Sequence, residues 1–227
     1  MSTTVLRKEI VFRKPTSLST SLTECKSGGH SGEEKKLKKK TIVIIKMSAY
    51  TTTSYIVKNV IRAGTIPWCQ DLVTKERKFW FGIHSYPRQL TDYGGMVEAK
   101  LDGGNPVVTA YREWDEEGCR AWGPLDISSH RESKIVISDN MLLVFVKVPN
   151  FNVEQVKQNF RLKSRNLRKR EVVGITQVSE SDILSVLTSS VDDKENEKEN
   201  LVGKSGFPFY DRVFDFLSRL ENFNFLE

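Results

Sequence analysis

The stretch Val107-Val108-Thr109-Ala110-Tyr111-Arg112-Glu113-Trp114-Asp115-Glu116-Glu117 reads as a helix with two unlike faces. At about 100° per residue, Val107, Tyr111 and Trp114 align at i, i+4 and i+7 as a stripe that must be buried. Glu113, Glu116 and Glu117 align at i, i+3 and i+4 on a second stripe. Three carboxylates on one face repel one another, and a divalent cation is an economical way to balance them. The ordinary alternative is a solvated acidic face.

The surroundings add to this pattern. Thr91-Asp92-Tyr93-Gly94-Gly95-Met96-Val97-Glu98 precedes the helix as a strand carrying a glycine pair. Together the two stretches resemble the Nudix box, G-x5-E-x7-R-E-U-x-E-E-x-G-U with U apolar. Arg112-Glu113-Trp114-Asp115-Glu116-Glu117 matches its R-E-U-x-E-E core at every defined position. The first half departs from it. Gly95 to Arg112 spans 17 positions where the pattern has 14, and Gly104 stands where the first glutamate belongs. Glu98 and Asp102 are near but out of register. The closing glycine is displaced as well, since Gly118 follows Glu117 directly. A lengthened glycine loop of this kind resembles that of viral members.

Charge is unevenly placed along the 227 residues, whose net charge is +6. Residues 1–40 carry ten Lys/Arg and four Asp/Glu, and the remainder carries 25 of each. The basic excess therefore lies in the first 40 residues, which argues against a nucleic-acid-coating domain. Lys35-Lys36-Leu37-Lys38-Lys39-Lys40 is a candidate for RNA, anionic membrane or import-receptor contact, against the plainer reading of a solvated tail. Cys25, Cys69 and Cys119 show no paired spacing, so neither a zinc site nor a disulfide framework is expected. No hydrophobic run approaches the ~20 residues of a membrane span. A cytoplasmic setting follows, the host cytoplasm if the chain is viral.

Residues 1–40 read as a flexible basic tail, 41–187 as the catalytic domain, 188–206 as an acidic flexible linker, and 207–227 as a C-terminal helix docking on the domain. Within the domain, Ile42–Ile45 is a strand or an apolar lead-in. Tyr55–Pro67 is a strand, Trp68–Lys75 a polar connection, Arg77–Ile83 an aromatic strand and Thr91–Glu98 the strand into the box. Lys134–Ser138 is a short strand. Met141–Val148 is continuously apolar, as a strand buried on both faces requires. Asn150–Asn159 is expected as a helix. Glu171–Val178 is a strand, and Ser179 caps a helix over Glu180–Leu187. Pro208 starts an amphipathic helix through Leu220. This order suits an α/β (α+β) fold. The resemblance makes that a Nudix-like α/β/α sandwich with a mixed β-sheet, over roughly residues 55–187.

The resemblance implies hydrolysis of a nucleoside diphosphate linked to another moiety, by attack of water at phosphorus, with Mg2+ or Mn2+ as the cofactor. Carried over by position, Glu113, Glu116 and Glu117 are metal ligands, joined by the backbone at Gly95 and, less in register, by Glu98. Arg112 orients a glutamate rather than touching substrate. Glu171 is the candidate general base, unless it pairs with Arg168 or Arg170. Trp68, Trp80 and Tyr86 are candidates for base stacking, against a core role; His84 and Arg88 are candidates for phosphate contact. Six positive charges between Arg161 and Arg170 fit a long polyphosphate or a nucleic-acid 5′ end, and fit a solvated loop equally well. The substrate is thus a small nucleotide or a capped RNA, with no membrane partner. The competing readings are a catalytically inactive Nudix-fold module binding nucleotide, RNA or protein, and an unrelated α+β interaction protein.

Overall fold

A computed structural model of the chain describes residues 4–7, 41–46, 59–123, 133–165, 170–189, 202–220 and 222–227. Nine strands are found among them: β1 Thr4–Arg7, β2 Thr41–Lys46, β3 Arg62–Gln70, β4 Arg77–His84, β5 Leu90–Thr91, β6 Tyr93–Met96, β7 Lys134–Ser138, β8 Met141–Lys147 and β9 Val172–Ser179. The α-helices are α1 Ala99–Asp102, α2 Pro106–Glu117, α3 Val153–Ser164, α4 Glu180–Ser189 and α5 Asp211–Leu217.

The strands form one mixed sheet in the order β1-β2-β7-β8-β3-β4-β5, with β6 also on β3 and β9 also on β4. β1 pairs parallel with β2 and β3 parallel with β8; the other pairings are antiparallel. β3 is where the sheet forks. Its first half, Arg62–Thr65, pairs with β6, and its last residues, Trp68–Gln70, pair with β4.

Alternation sorts side chains onto two faces. On β8, Leu142, Val144 and Val146 join the core under α2 and α3, while Met141, Leu143 and Phe145 join the core under α4 and α5. The uninterrupted apolar run of β8 is thus explained by burial on both sides. β4 does the same with Trp80 on one face and Phe79 and Phe81 on the other. Helices on both faces make the three layers expected from the order of elements. The last residues belong to the second core: Val213, Phe216, Leu217, Leu220 and Phe223 are buried there. Arg77 ties the same face together, at 2.9 Å from Glu180 and 2.8 Å from Glu227.

Several boundaries move from the sequence reading. β3 runs on through Trp68 to Gln70, so the polar connection is shorter than Trp68–Lys75. The helix expected over Asn150–Asn159 is Val153–Ser164, because Asn152 is the residue whose side chain caps it, accepting from Glu154 N and Gln155 N. The last helix stops at Leu217, short of Leu220. Thr4–Arg7, inside the stretch read as a tail, adds a strand to β2. The lysine run at 35–40, most of the linker, and the first part of Tyr55–Pro67 lie outside the described residues.

Candidate functional site

α2 is held against the sheet before it can present anything. Asn105 caps it, accepting from Val107 N at 3.0 Å, with Pro106 in the first turn where its missing N–H costs nothing. Tyr111 and Trp114 are buried, as the stripe required. Thr65 of β3 donates to the Ala110 carbonyl at 2.9 Å. The opposite face carries the glutamates.

The stretch read as a plain Gly/Asp loop contains α1, one turn that ends at Gly103 and Gly104 with φ of 62° and 72°. Only glycine takes two such steps cheaply. That turn carries Asp102 back beneath α2. Arg112 Nε donates to Asp102 Oδ1 at 2.8 Å and Nη2 to Oδ2 at 3.1 Å. Thr109 Oγ1 donates to the same carboxylate at 2.7 Å and the Glu98 N–H at 3.1 Å. Hydrogen bonds from Arg112, then from Thr109 and the backbone, outweigh burial and hold the Asp102 carboxyl down to about 2. Asp102 is the acid that Arg112 meets in this fold. Glu98, the other near-register candidate, caps α1 through its backbone and is exposed.

The remaining nitrogen of Arg112 faces the glutamates. Nη1 lies 2.8 Å from Glu113 Oε1 and 3.2 Å from Glu116 Oε2. One nitrogen of Arg112 is thus within ion-pair distance of two of the glutamates. Glu113 is tucked against Gly95, where any side chain would overlap its carboxylate. Burial, partly countered by Arg112, raises its pKa. Glu116 remains exposed.

Glu117 occupies the most unusual position of the three. Its Oε2 accepts from Gly94 N at 2.9 Å. Burial pushes its carboxyl up to about 9, with the charges of Asp92 and Glu113 adding to the shift and Glu171 contributing less. A carboxylate so placed calls for a proton or a cation.

Asp92 is fully buried beside it and was not singled out from sequence. Arg62 reaches it through both oxygens, at 2.7 and 3.0 Å, and donates to the Gly94 carbonyl at 3.0 Å. The peptide flanking Gly94 is thus gripped from two sides, by Glu117 at its N–H and by Arg62 at its carbonyl. Gly64 and Gly94 pack against the Asp92 carboxylate, leaving no room for a Cβ. An acid two residues before a Gly-Gly pair, in a stretch expected as a strand, was the signal available for it.

Among the described residues, no set of three or more His, Cys, Asp or Glu converges closely enough to hold a metal ion. The donors are nevertheless of the kind a hard cation takes, carboxylate oxygens on a rigid helix facing a glycine backbone.

Other candidates are dispersed. Glu171 is exposed at the start of β9, its carbonyl accepting from Ser85 N at 2.7 Å; among the described residues it has no ion pair. Trp68 and Trp80 are core residues, 3% and 0% exposed, and do not stack a ligand base from there. Tyr86 is exposed. His84 stacks on Tyr210, ring centroids 5.7 Å apart. Arg161, Lys163 and Arg165 are exposed around the end of α3, while Arg168 and Lys169 lie outside the described residues. Among the described residues no helix is long and apolar enough to cross a membrane.

No protein-family model matches the chain, and no curated protein sequence does. Among solved structures, the chain is similar to the crystal structure of the C. elegans Ap4A hydrolase, with a TM-score of 0.34 and 12% identity over 70% of this chain and 95% of that one. Function is therefore to be read from the side chains themselves.

Proposed function

We propose that the chain is a metal-dependent pyrophosphohydrolase of the Nudix type, cleaving a nucleoside diphosphate linked to another moiety. The observation that carries this reading is the closed Asp102–Arg112 pair beneath a helix face bearing Glu113, Glu116 and Glu117. That pair fixes Arg112 where its remaining nitrogen meets Glu113 and Glu116.

Glu113, Glu116, Glu117 and the backbone at Gly95 are the groups that would hold Mg2+ or Mn2+. Such an ion, when bound, neutralises phosphate oxygens and lowers the pKa of a coordinated water. Arg112 is a positioning residue: fixed by Asp102, it holds Glu113 and Glu116 on one side of the helix. The Gly94 N–H fixes the direction of Glu117. Glu171, whose charge is felt at Glu117, accepts the proton of the attacking water. The new bond joins that water's oxygen to phosphorus as the anhydride P–O bond breaks, and the leaving phosphate carries away the electron pair. Small dinucleotides, nucleotide sugars and capped RNA all present this linkage.

The test is product release from a panel of those substrates with Mg2+ or Mn2+. Glu116→Gln and Glu117→Gln are each expected to lower the rate by at least about 100-fold. Undiminished rates in both would remove the assignment.

A second reading has its own support. Arg112 already occupies Glu113 and Glu116, and the described acids do not converge on one point. A non-catalytic nucleotide-binding module would show binding without turnover on every substrate and either metal.

A further inference from the structure

A cleft of about 320 Å³ opens on the α5 side of the sheet, between β3, the end of β6, the β7–β8 turn and α5. Nothing in the hydrolytic scheme uses it. Its volume lies at the small end of ligand pockets, roughly 300–1,000 Å³, which suits one nucleotide unit rather than two.

The lining is of two kinds. Met96, half-exposed, makes an apolar wall above the buried Met141 and Phe216. Three arginines also line the cleft, and two of these are committed. Arg62 is spent on Asp92 and Gly94; Arg219 donates to Ser138 and Asp139. Arg212 is exposed, lines the cleft, and has no hydrogen-bond or ion-pair partner among the described residues. Asp215, one turn further along α5, and the Asn140 side chain are likewise uncommitted. One free guanidinium, one free carboxylate, an amide and an exposed thioether are the complement of a phosphate, hydroxyl groups and a base. Arginine's fork suits the phosphate, and the Met96 sulfur suits the base.

The cleft is not remote from the glutamates. Arg62 is in its lining and also donates to the Gly94 carbonyl, while the Gly94 N–H donates to Glu117. Met96, also in the lining, follows Gly95, against which Glu113 is packed. Only the four residues of β6 separate the two.

We propose that this cleft binds the nucleoside monophosphate end of the substrate, with Arg212 on its phosphate and Met96 against its base. The assignment rests on the hydrolase reading for the word substrate, but binding itself does not need turnover. A mononucleotide is therefore the probe.

Calorimetric titration of the metal-free full chain with AMP and GMP is expected to show binding of at least one. Arg212→Ala, on an exposed helix position, weakens it about tenfold or more. Met96→Glu, which puts a negative charge at the mouth, weakens it similarly, while Arg161→Ala on α3 leaves it unchanged. Absence of binding in the parent chain overturns the proposal, and so does equal weakening by Arg161→Ala, which would mark unspecific charge attraction. In a hydrolysing chain the same mononucleotide should inhibit competitively; non-competitive inhibition overturns the placement on substrate. Hydrolysis with an unaltered KM in Arg212→Ala, without mononucleotide binding, removes the cleft and spares the hydrolase. Arg212-dependent binding in a chain that hydrolyses nothing keeps the cleft and removes the hydrolase.

Discussion

Arg112 grips Asp102 through two nitrogens, 2.8 and 3.1 Å from the two carboxylate oxygens, across ten residues of chain. The carboxylate has no exposed side-chain surface and the guanidinium is 20% exposed. Removing one partner strands the other, which costs more than the pair contributes. Asp102→Ala should lower the free energy of unfolding by about 2–3 kcal/mol, read by urea denaturation. It should also cut turnover, because Arg112 would swing towards Glu113 and Glu116. An unchanged midpoint and rate would show that the pair is decorative.

The same pair sets an acid limit on stability. The Asp102 carboxyl sits at about 2 in the folded chain against an ordinary 3.8. A depressed folded value means that the folded state holds its proton less tightly than the unfolded state. The contribution is complete above about pH 4 and is lost as pH falls through the range from 4 to 2. It amounts to about 2 kcal/mol. Asp102→Asn should flatten that part of the stability–pH curve, measured by denaturant titration at each pH. A parallel curve, merely displaced, would assign the slope to other acids.

Two glycines offer opposite outcomes. A methyl at Gly64 would run into the Asp92 carboxylate, which both Arg62 nitrogens hold in place, and would meet the Tyr93 carbonyl at 3.0 Å. Neither neighbour can give way, so Gly64→Ala should destabilise by about 1–3 kcal/mol. The nearest atoms a methyl at Gly95 would meet are those of the Glu113 carboxylate, the far end of a flexible side chain. Gly95→Ala should displace that carboxylate at a stability cost below about 1 kcal/mol while lowering turnover about tenfold or more. Thermal melts and rates on the two variants check this; a reversal of the two effects would detach Glu113 from the chemistry.

What was legible in the sequence follows from the range of the interactions. β8 announces itself because both its faces are buried, and α2 because its two stripes are set by helical periodicity alone. Trp68 and Trp80 could not be sorted from sequence, since an aromatic on a strand looks the same whether it faces a core or a ligand. Asp102 was out of register with the expected acid because α1 inserts a turn whose geometry resides in two left-handed glycines. The Arg62–Asp92 contact joins residues 30 apart, one on β3 and one just before β6, and the pairing of β3 with β6 brings them together. Arg212 faces the cleft by virtue of where α5 docks, a tertiary fact with no local trace.

That docking should be indispensable. Phe209 meets Phe81 edge-on at 5.2 Å, and Phe223 lies 4.6 Å from Phe79. Leu90 donates to the Pro208 carbonyl at 2.7 Å and its own carbonyl accepts from Tyr210 N at 2.8 Å, so the segment also extends the backbone pairing of β5. Each of Phe209, Val213, Phe216, Leu217 and Phe223 is buried, and burial of such a side chain contributes roughly 1.5–3 kcal/mol. Five of them together rival the whole stability of an ordinary domain, about 5–15 kcal/mol. Deleting residues 207–227 should therefore abolish cooperative unfolding, with loss of the near-ultraviolet dichroism that the packed aromatics produce. A cooperative melt within a few degrees of the full chain would mean that the α5 face of the sheet can close without it.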